Sequence, residues 1–123
     1  MGYGPGLALR LAAERVSDGR IIGIDHSVAM RDQAKARNRA AVADGRMRLF
    51  VGSVAELSQP SDSELDGPFD KIFGVNVALF WDDPVAVFRA LKDRLAEDGV
   101  VAFTHQCTAP GFLDTSLSCG GPD

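Results

Sequence analysis

The chain has 123 residues and a mass of 13.1 kDa, enough for one compact domain and no more. Apolar residues make up 46% and charged residues 24%, an ordinary globular balance that excludes a disordered chain, a collagen-like repeat and a coiled coil. Seventeen acidic against thirteen basic side chains leave a formal charge of −4, which argues against a dedicated nucleic-acid binder.

The chain opens on the glycine cluster Met1-Gly2-Tyr3-Gly4-Pro5-Gly6. Pro5 suits the first turn of a helix, and Leu7, Ala8, Leu11, Ala12 and Arg15 follow at helical spacing until Ser17-Asp18-Gly19 stops the run. Arg20 to Ile24 is a short β-branched run, read as a buried strand ending at Asp25. Ser27 is placed to cap a helix from Val28 to Asp44, with Gly45 as terminator. The apolar stripe of that helix is mostly alanine, suited to close packing on a sheet. Met47 to Val51 reads as a strand ending at Gly52-Ser53.

Ser58 to Pro68 is polar, acidic and broken by two prolines, hence a surface loop. Lys71 to Val75 is the next strand, with Asn76 at its end. Asp83 and Pro84 form a cap and first-turn pair for a helix carrying Phe88, Leu91 and Leu95. Asp98-Gly99 then turns the chain into a last strand, Val100 to Thr104. The tail from 107 to 123 is rich in Gly, Ser and Pro, so the domain is expected to occupy residues 1–106.

Strands alternating with helices predict a mostly parallel α/β sheet with helices on both faces. Ligands of such sheets bind beyond the carboxyl ends of the strands. The glycine loop, Asp25, Ser53, Asn76 and His105 all fall at such ends, so they are expected to converge on one edge. Glycines let a ligand approach the backbone, and the helix that follows offers its positive dipole end. The G-x-G-x-x-G dinucleotide spacing counted from Gly2 fails, because position 7 is Leu7. Asp25, about 20 residues beyond the loop, is suited to accept hydrogen bonds from ribose hydroxyls, although an aspartate there also serves as a plain turn or cap residue.

Taken together, these segments resemble class I S-adenosylmethionine-dependent methyltransferases, a Rossmann-like family. Gly2 to Gly6 is similar to that family's G-x-G-x-G motif, and Gly23-Ile24-Asp25-His26-Ser27 with Met30 is similar to its second motif. Gly52 to Leu57, Phe69 to Phe73 and Leu91 to Phe103 resemble the motifs that follow, in the same order. The resemblance implies S-adenosylmethionine as cofactor. It places Gly2, Gly4 and Gly6, with Tyr3 between them, against the methionine portion, and Asp25 on the ribose. His26 and Met30 would flank the adenine. Ser53 and the Val54 N–H would face its edge, and Asn76 would approach from the fourth strand of the family. Many members carry an acidic residue where Ser53 stands; a neutral acceptor there implies a weaker contact.

The family's first strand, which precedes the glycine loop, and its last two strands have no counterpart in these 123 residues. The expectation is a truncated or misassigned reading frame, which an in-frame stop codon directly upstream would oppose. Loss of a central strand leaves backbone groups unpaired, so low stability and weak cofactor binding are expected; micromolar affinity would contradict this.

The resemblance implies methyl transfer to a small-molecule acceptor by in-line displacement, which needs alignment more than a metal or a nucleophile. His105 could serve as a base, but a packed or solvent-exposed histidine is the plainer reading, and no catalytic base is assigned. Phe80 and Trp81 belong to the core or, as the second reading, to an apolar acceptor wall. Arg31, Lys35, Arg37, Arg39, Arg46 and Arg48 read as a solvated face balanced by nearby acids. Two other functions stay open: a nicotinamide-dependent oxidoreductase domain on the same edge, and a non-catalytic fragment or interaction module. The sequence carries no recognisable secretory signal or membrane-length apolar run. Cys107 and Cys119 read as free thiols, with a disulfide as the alternative. A cytoplasmic protein with neither membrane nor nucleic-acid partner is expected.

Overall fold

The computed structural model describes residues 1–58, 64–77 and 81–105. Phe80, both cysteines and the tail from 107 to 123 lie outside the described residues. In chain order the elements are helix α1 (Leu7–Arg15), strand β1 (Ile21–Asp25), helices α2 (Val28–Arg37) and α3 (Arg39–Ala43), strand β2 (Met47–Val51), a 3-10 turn (Val54–Ser58), strand β3 (Phe69–Val75), helix α4 (Pro84–Asp93) and strand β4 (Leu95–Thr104).

Local chemistry sets several of these boundaries where the sequence places them. The Ser27 hydroxyl accepts from the Met30 N–H at 3.2 Å and starts α2. Asp83 accepts from the Ala86 N–H at 3.0 Å, with Pro84 in the first turn of α4. Other boundaries differ: β3 begins at Phe69, two residues before the expected start, and β4 runs through Asp98-Gly99, where a turn is expected. Pro5 stands before α1, because Gly4 and Gly6 take left-handed φ values of 51° and 91° that no helix contains. The single helix expected over 28–44 breaks at Asn38, whose φ of −113° and ψ of 33° leave the helical region. Leu95 leaves α4 and opens β4, where it pairs with Phe69, and the ladder resumes at Lys71 opposite Val100.

The strands pair in two parallel couples, β1 with β2 and β3 with β4. Among the described residues no ladder joins the couples. The dipeptide Met1-Gly2 bridges them instead: the Met1 amino group donates to the Phe73 carbonyl at 2.9 Å, and the Gly2 N–H donates to the Ile24 carbonyl at 2.7 Å. Beside this bridge, one apolar cluster crosses from couple to couple, joining Ile24 of β1 and Ile72 of β3 to Leu57, Val87, Ala90 and Leu91. A second cluster, Tyr3, Leu9, Ala34, Ala41 and Met47, covers the opposite face of β1 and β2. Ala34 and Met47 there are fully excluded from solvent, as the alanine stripe predicts.

Helices thus cover both faces of the first couple. On the second couple, Phe73, Val75 and Val100 are exposed, so cover on both faces holds for β1 and β2 only among the described residues. The segment before β3 is pinned by Arg94, whose guanidinium donates to the Leu65 and Ala90 carbonyls, each at 2.9 Å. Core truncations should reveal which contacts matter. Met47→Ala and Leu91→Ala are each expected to lower unfolding free energy by about 2–5 kcal/mol. Val85→Ala, on the exposed side of α4, should change it by less than about 0.5 kcal/mol; urea denaturation compares the three.

Candidate functional site

Asp25 stands at the carboxyl end of β1, 7% exposed. Its Oδ2 accepts the Gly4 N–H at 2.9 Å, and its Oδ1 accepts the Ser27 N–H at 2.9 Å. One carboxylate therefore ties the glycine loop to the start of α2. The Asp25 backbone carbonyl accepts the Gly52 N–H at 2.9 Å, which brings the end of β2 to the same place. Such charge-assisted bonds to backbone donors are the stronger kind.

The glycine loop itself is shaped by three contacts. The Gly6 N–H closes a turn onto the Tyr3 carbonyl at 3.0 Å. Tyr3 turns its ring inward over Gly23, where an added Cβ would lie 2.8 Å from the Tyr3 Cδ1, and its hydroxyl donates to the Phe50 carbonyl at 3.1 Å. Burial is the main cause that pushes this phenol up to about 12, with the Asp25 charge adding to it. The Tyr3 side chain is thereby committed to the core. Gly4 is the open point of the loop: a Cβ built there meets no atom within 4 Å. At Gly6 the reverse holds, with a Cβ only 2.7 Å from the Ala34 Cα. Its carbonyl accepts the Asn38 side-chain amide at 3.1 Å.

Most of the residues singled out from the sequence do meet at this edge. His26 is exposed beside Asp25, its Nδ1 3.7 Å from Oδ1, and half-buried Met30 lies one turn into α2. Asn76, at φ 55°, follows β3, and its N–H donates to the Thr104 carbonyl at 2.9 Å. The next residue, Val77, fills the space that a Cβ on Gly2 would need, which seats the end of β3 against the loop. Ser53 follows β2, exposed, with its hydroxyl accepting the Ala55 N–H at 3.2 Å and so capping the 3-10 turn that Val54 begins. His105 is exposed just past β4, in keeping with the plainer reading of that residue.

Trp81 makes edge-on contacts with Phe88 and Phe103 at centroid distances of 5.4 and 5.1 Å, and it packs against the cluster that joins the two couples. Three of the basic side chains are paired, Arg31 with Asp32, Arg46 with Asp44 and Arg48 with Glu64. Among the described residues no helix is long and apolar enough to cross a membrane. No group of three or more His, Cys, Asp or Glu among them stands close enough to hold a metal ion. The residue that sequence reasoning passed over is Asn38. Its signal was visible, because asparagine is a poor helix former set in an alanine-rich run.

A family model described as a methyltransferase domain matches residues 1–99. Over 106 residues the chain is 29% identical to the uncharacterized methyltransferase YdaC of Bacillus subtilis (strain 168), covering 86% of this chain and 54% of that protein. A crystal structure from Methanococcus maripaludis, of a candidate S-adenosyl-L-methionine-dependent methyltransferase, superposes with a TM-score of 0.67 at 28% identity, over 85% of this chain and 45% of that one. A methyltransferase from Thiobacillus denitrificans, solved in complex with S-adenosyl-L-homocysteine, shares the fold with a TM-score of 0.62 at 23% identity, over 83% of this chain and 38% of that one. The chain spans about half the length of the curated relative it matches.

Two measurements probe the site itself. Asn in place of Asp25 keeps the shape but turns an NH2 toward one of the two backbone donors. Asp25→Asn should therefore lower stability by about 1–3 kcal/mol in urea denaturation. Burial pushes the Met1 amino group down from 8.0 to about 6, against the pull of the Asp25 charge. The folded state thus favours the neutral amine. For a chain starting at Met1, this contribution is fully present above about pH 8 and is lost as pH falls through about 6. The urea midpoint should rise between those pH values, and acetylating the amino group should flatten the rise.

Proposed function

Because the chain belongs to the methyltransferase domain family, we propose that the edge around Asp25 binds S-adenosylmethionine and serves methyl transfer to a small-molecule acceptor. The observation that carries this reading is the Asp25 carboxylate holding the Gly4 N–H at 2.9 Å while Gly4 stays open above. Each Asp25 oxygen retains acceptor capacity beyond its backbone partner, which suits a pair of ribose hydroxyls.

The residues present fit the cofactor. The first turn of α1 has no side-chain cap and no acidic residue, so its N–H groups and positive dipole end favour the carboxylate of an amino-acid moiety. Gly2, Gly4 and Gly6 line that approach, with Tyr3 bracing the loop from below. His26 and Met30 would flank the adenine, the Ser53 hydroxyl and the Val54 N–H would face its edge, and Asn76 would close the side toward β3. When bound, the cofactor supplies a sulfonium methyl group open to in-line displacement. The protein's part is alignment of donor and acceptor. Trp81, Phe88 of α4 and Phe103 of β4 form a cluster of edge-on rings, which supports the acceptor-wall reading of Trp81 alongside its place in the core. No side chain is assigned as base.

Leu7, standing where a dinucleotide loop needs glycine, supports S-adenosylmethionine over a dinucleotide. Ligand-observed NMR separates the readings. S-adenosylhomocysteine should show saturation transfer from the protein and NAD should show none. Transfer to NAD alone would sink the methyltransferase reading of this edge. Transfer to neither would favour a fragment that keeps the motifs without a working pocket.

A further inference from the structure

The glycine loop has two anchors, and only one of them is Asp25. The other is Asn38, which is 6% exposed and lies at the junction of α2 and α3. Its side-chain amide donates to the Gly6 carbonyl at 3.1 Å and to the Ala34 carbonyl at 2.9 Å. The first of these bonds spans 32 positions of sequence and ends on the N-cap residue of α1. Gly6 is also pressed onto α2 with no room for a side chain, a Cβ falling 2.8 Å from the Ala34 Cβ and 2.9 Å from the Asn38 Nδ2.

Helix formation does not ask for asparagine at this position. Alanine is the better helix former and would extend α2 into α3, where Asn38 instead breaks the run. What the break provides is a buried amide aimed at the loop. The Gly6 carbonyl also accepts the Arg10 N–H at 3.1 Å, the first bond of α1. The atom that Asn38 holds is therefore the one from which the axis of α1 departs.

We propose that Asn38 is a positioning residue: through the Gly6 carbonyl it sets the direction of the α1 N-terminus, and thereby the affinity of the site for the amino-acid end of its ligand. This rests on the reading of the site given above. Asp25 holds the half of the loop next to the ribose, and Asn38 holds the half next to the amino-acid carboxylate. The two ends of the ligand should therefore respond differently to loss of this amide.

The test compares S-adenosylhomocysteine with adenosine, which lacks the amino-acid end. Asn38→Ala and Asn38→Ser are measured against the unaltered chain by titration NMR, the serine variant retaining a hydroxyl that can still bond the Ala34 carbonyl. In both variants affinity for S-adenosylhomocysteine should fall about fivefold to tenfold, the worth of one net hydrogen bond, while affinity for adenosine stays within about twofold. An equal loss for both ligands would mean that Asn38 only supports the fold and would overturn the proposal, as would unchanged affinities. In the unaltered chain, the Asn38 side-chain amide resonances should shift on adding S-adenosylhomocysteine and stay in place with adenosine. No differential shift would overturn the proposal even where a variant fails to fold. If the unaltered chain binds neither ligand, the reading of the site itself fails, a result visible before any substitution is made.

Discussion

The Asp25 carboxylate is the constraint on which the site depends. Its two oxygens accept backbone N–H groups from residues on either side of β1, Gly4 before it and Ser27 after it. A buried charge is costly unless it is paired and hydrogen-bonded, and here the pairing is with backbone donors that would otherwise need partners of their own. One side chain therefore solves three problems: it satisfies the loop, it satisfies the entry to α2, and it keeps a charge at the edge of the sheet. The ligand role argued for it draws on the same charge.

Around Asp25 the loop is shaped by what is missing as much as by what bonds. Gly23 leaves room for the Tyr3 ring, and Gly6 lets the chain lie directly on Ala34. The Tyr3 hydroxyl on Phe50 and the Asn38 amide on Gly6 then lock those approaches. The result is a loop pinned from below at Tyr3 and from the side at both ends, with Gly4 as its open point. A ligand meeting such a loop finds its backbone already ordered, which lowers the ordering cost of binding.

The sheet is organised differently on its two sides. β1 is covered on both faces, with Gly23, Ile24 and Asp25 all buried, as a parallel strand under two layers is, while β2 is buried at Met47 and exposed at Arg48 and Val51. β3 alternates, with Ile72 buried and Phe73 and Val75 exposed. Met1 and Gly2 carry the hydrogen bonds between the couples, while Ile24, Ile72 and Leu91 carry the apolar contact beneath them. The convergence of strand ends that defines the site therefore rests on a short bridge and a shared core rather than on a continuous ladder.

Features that depend on neighbouring residues could be read from the sequence alone. The caps at Ser27 and Asp83, the strands ending at Asp25, Val51, Val75 and Thr104, the open glycine loop and the position of Asp25 all follow from local rules of capping, periodicity and turn chemistry. The family followed from the order and spacing of those same segments. Features that depend on partners far along the chain were decided only in three dimensions. Asn38 breaks a helix that local propensity would continue, because its amide is drawn to Gly6, 32 residues away. Leu95 leaves its helical pattern to pair with Phe69, and Tyr3 turns inward because Gly23 and Phe50 await it. A propensity of a few tenths of a kcal/mol per residue yields wherever a buried hydrogen bond or a core contact of about 1 kcal/mol or more competes with it.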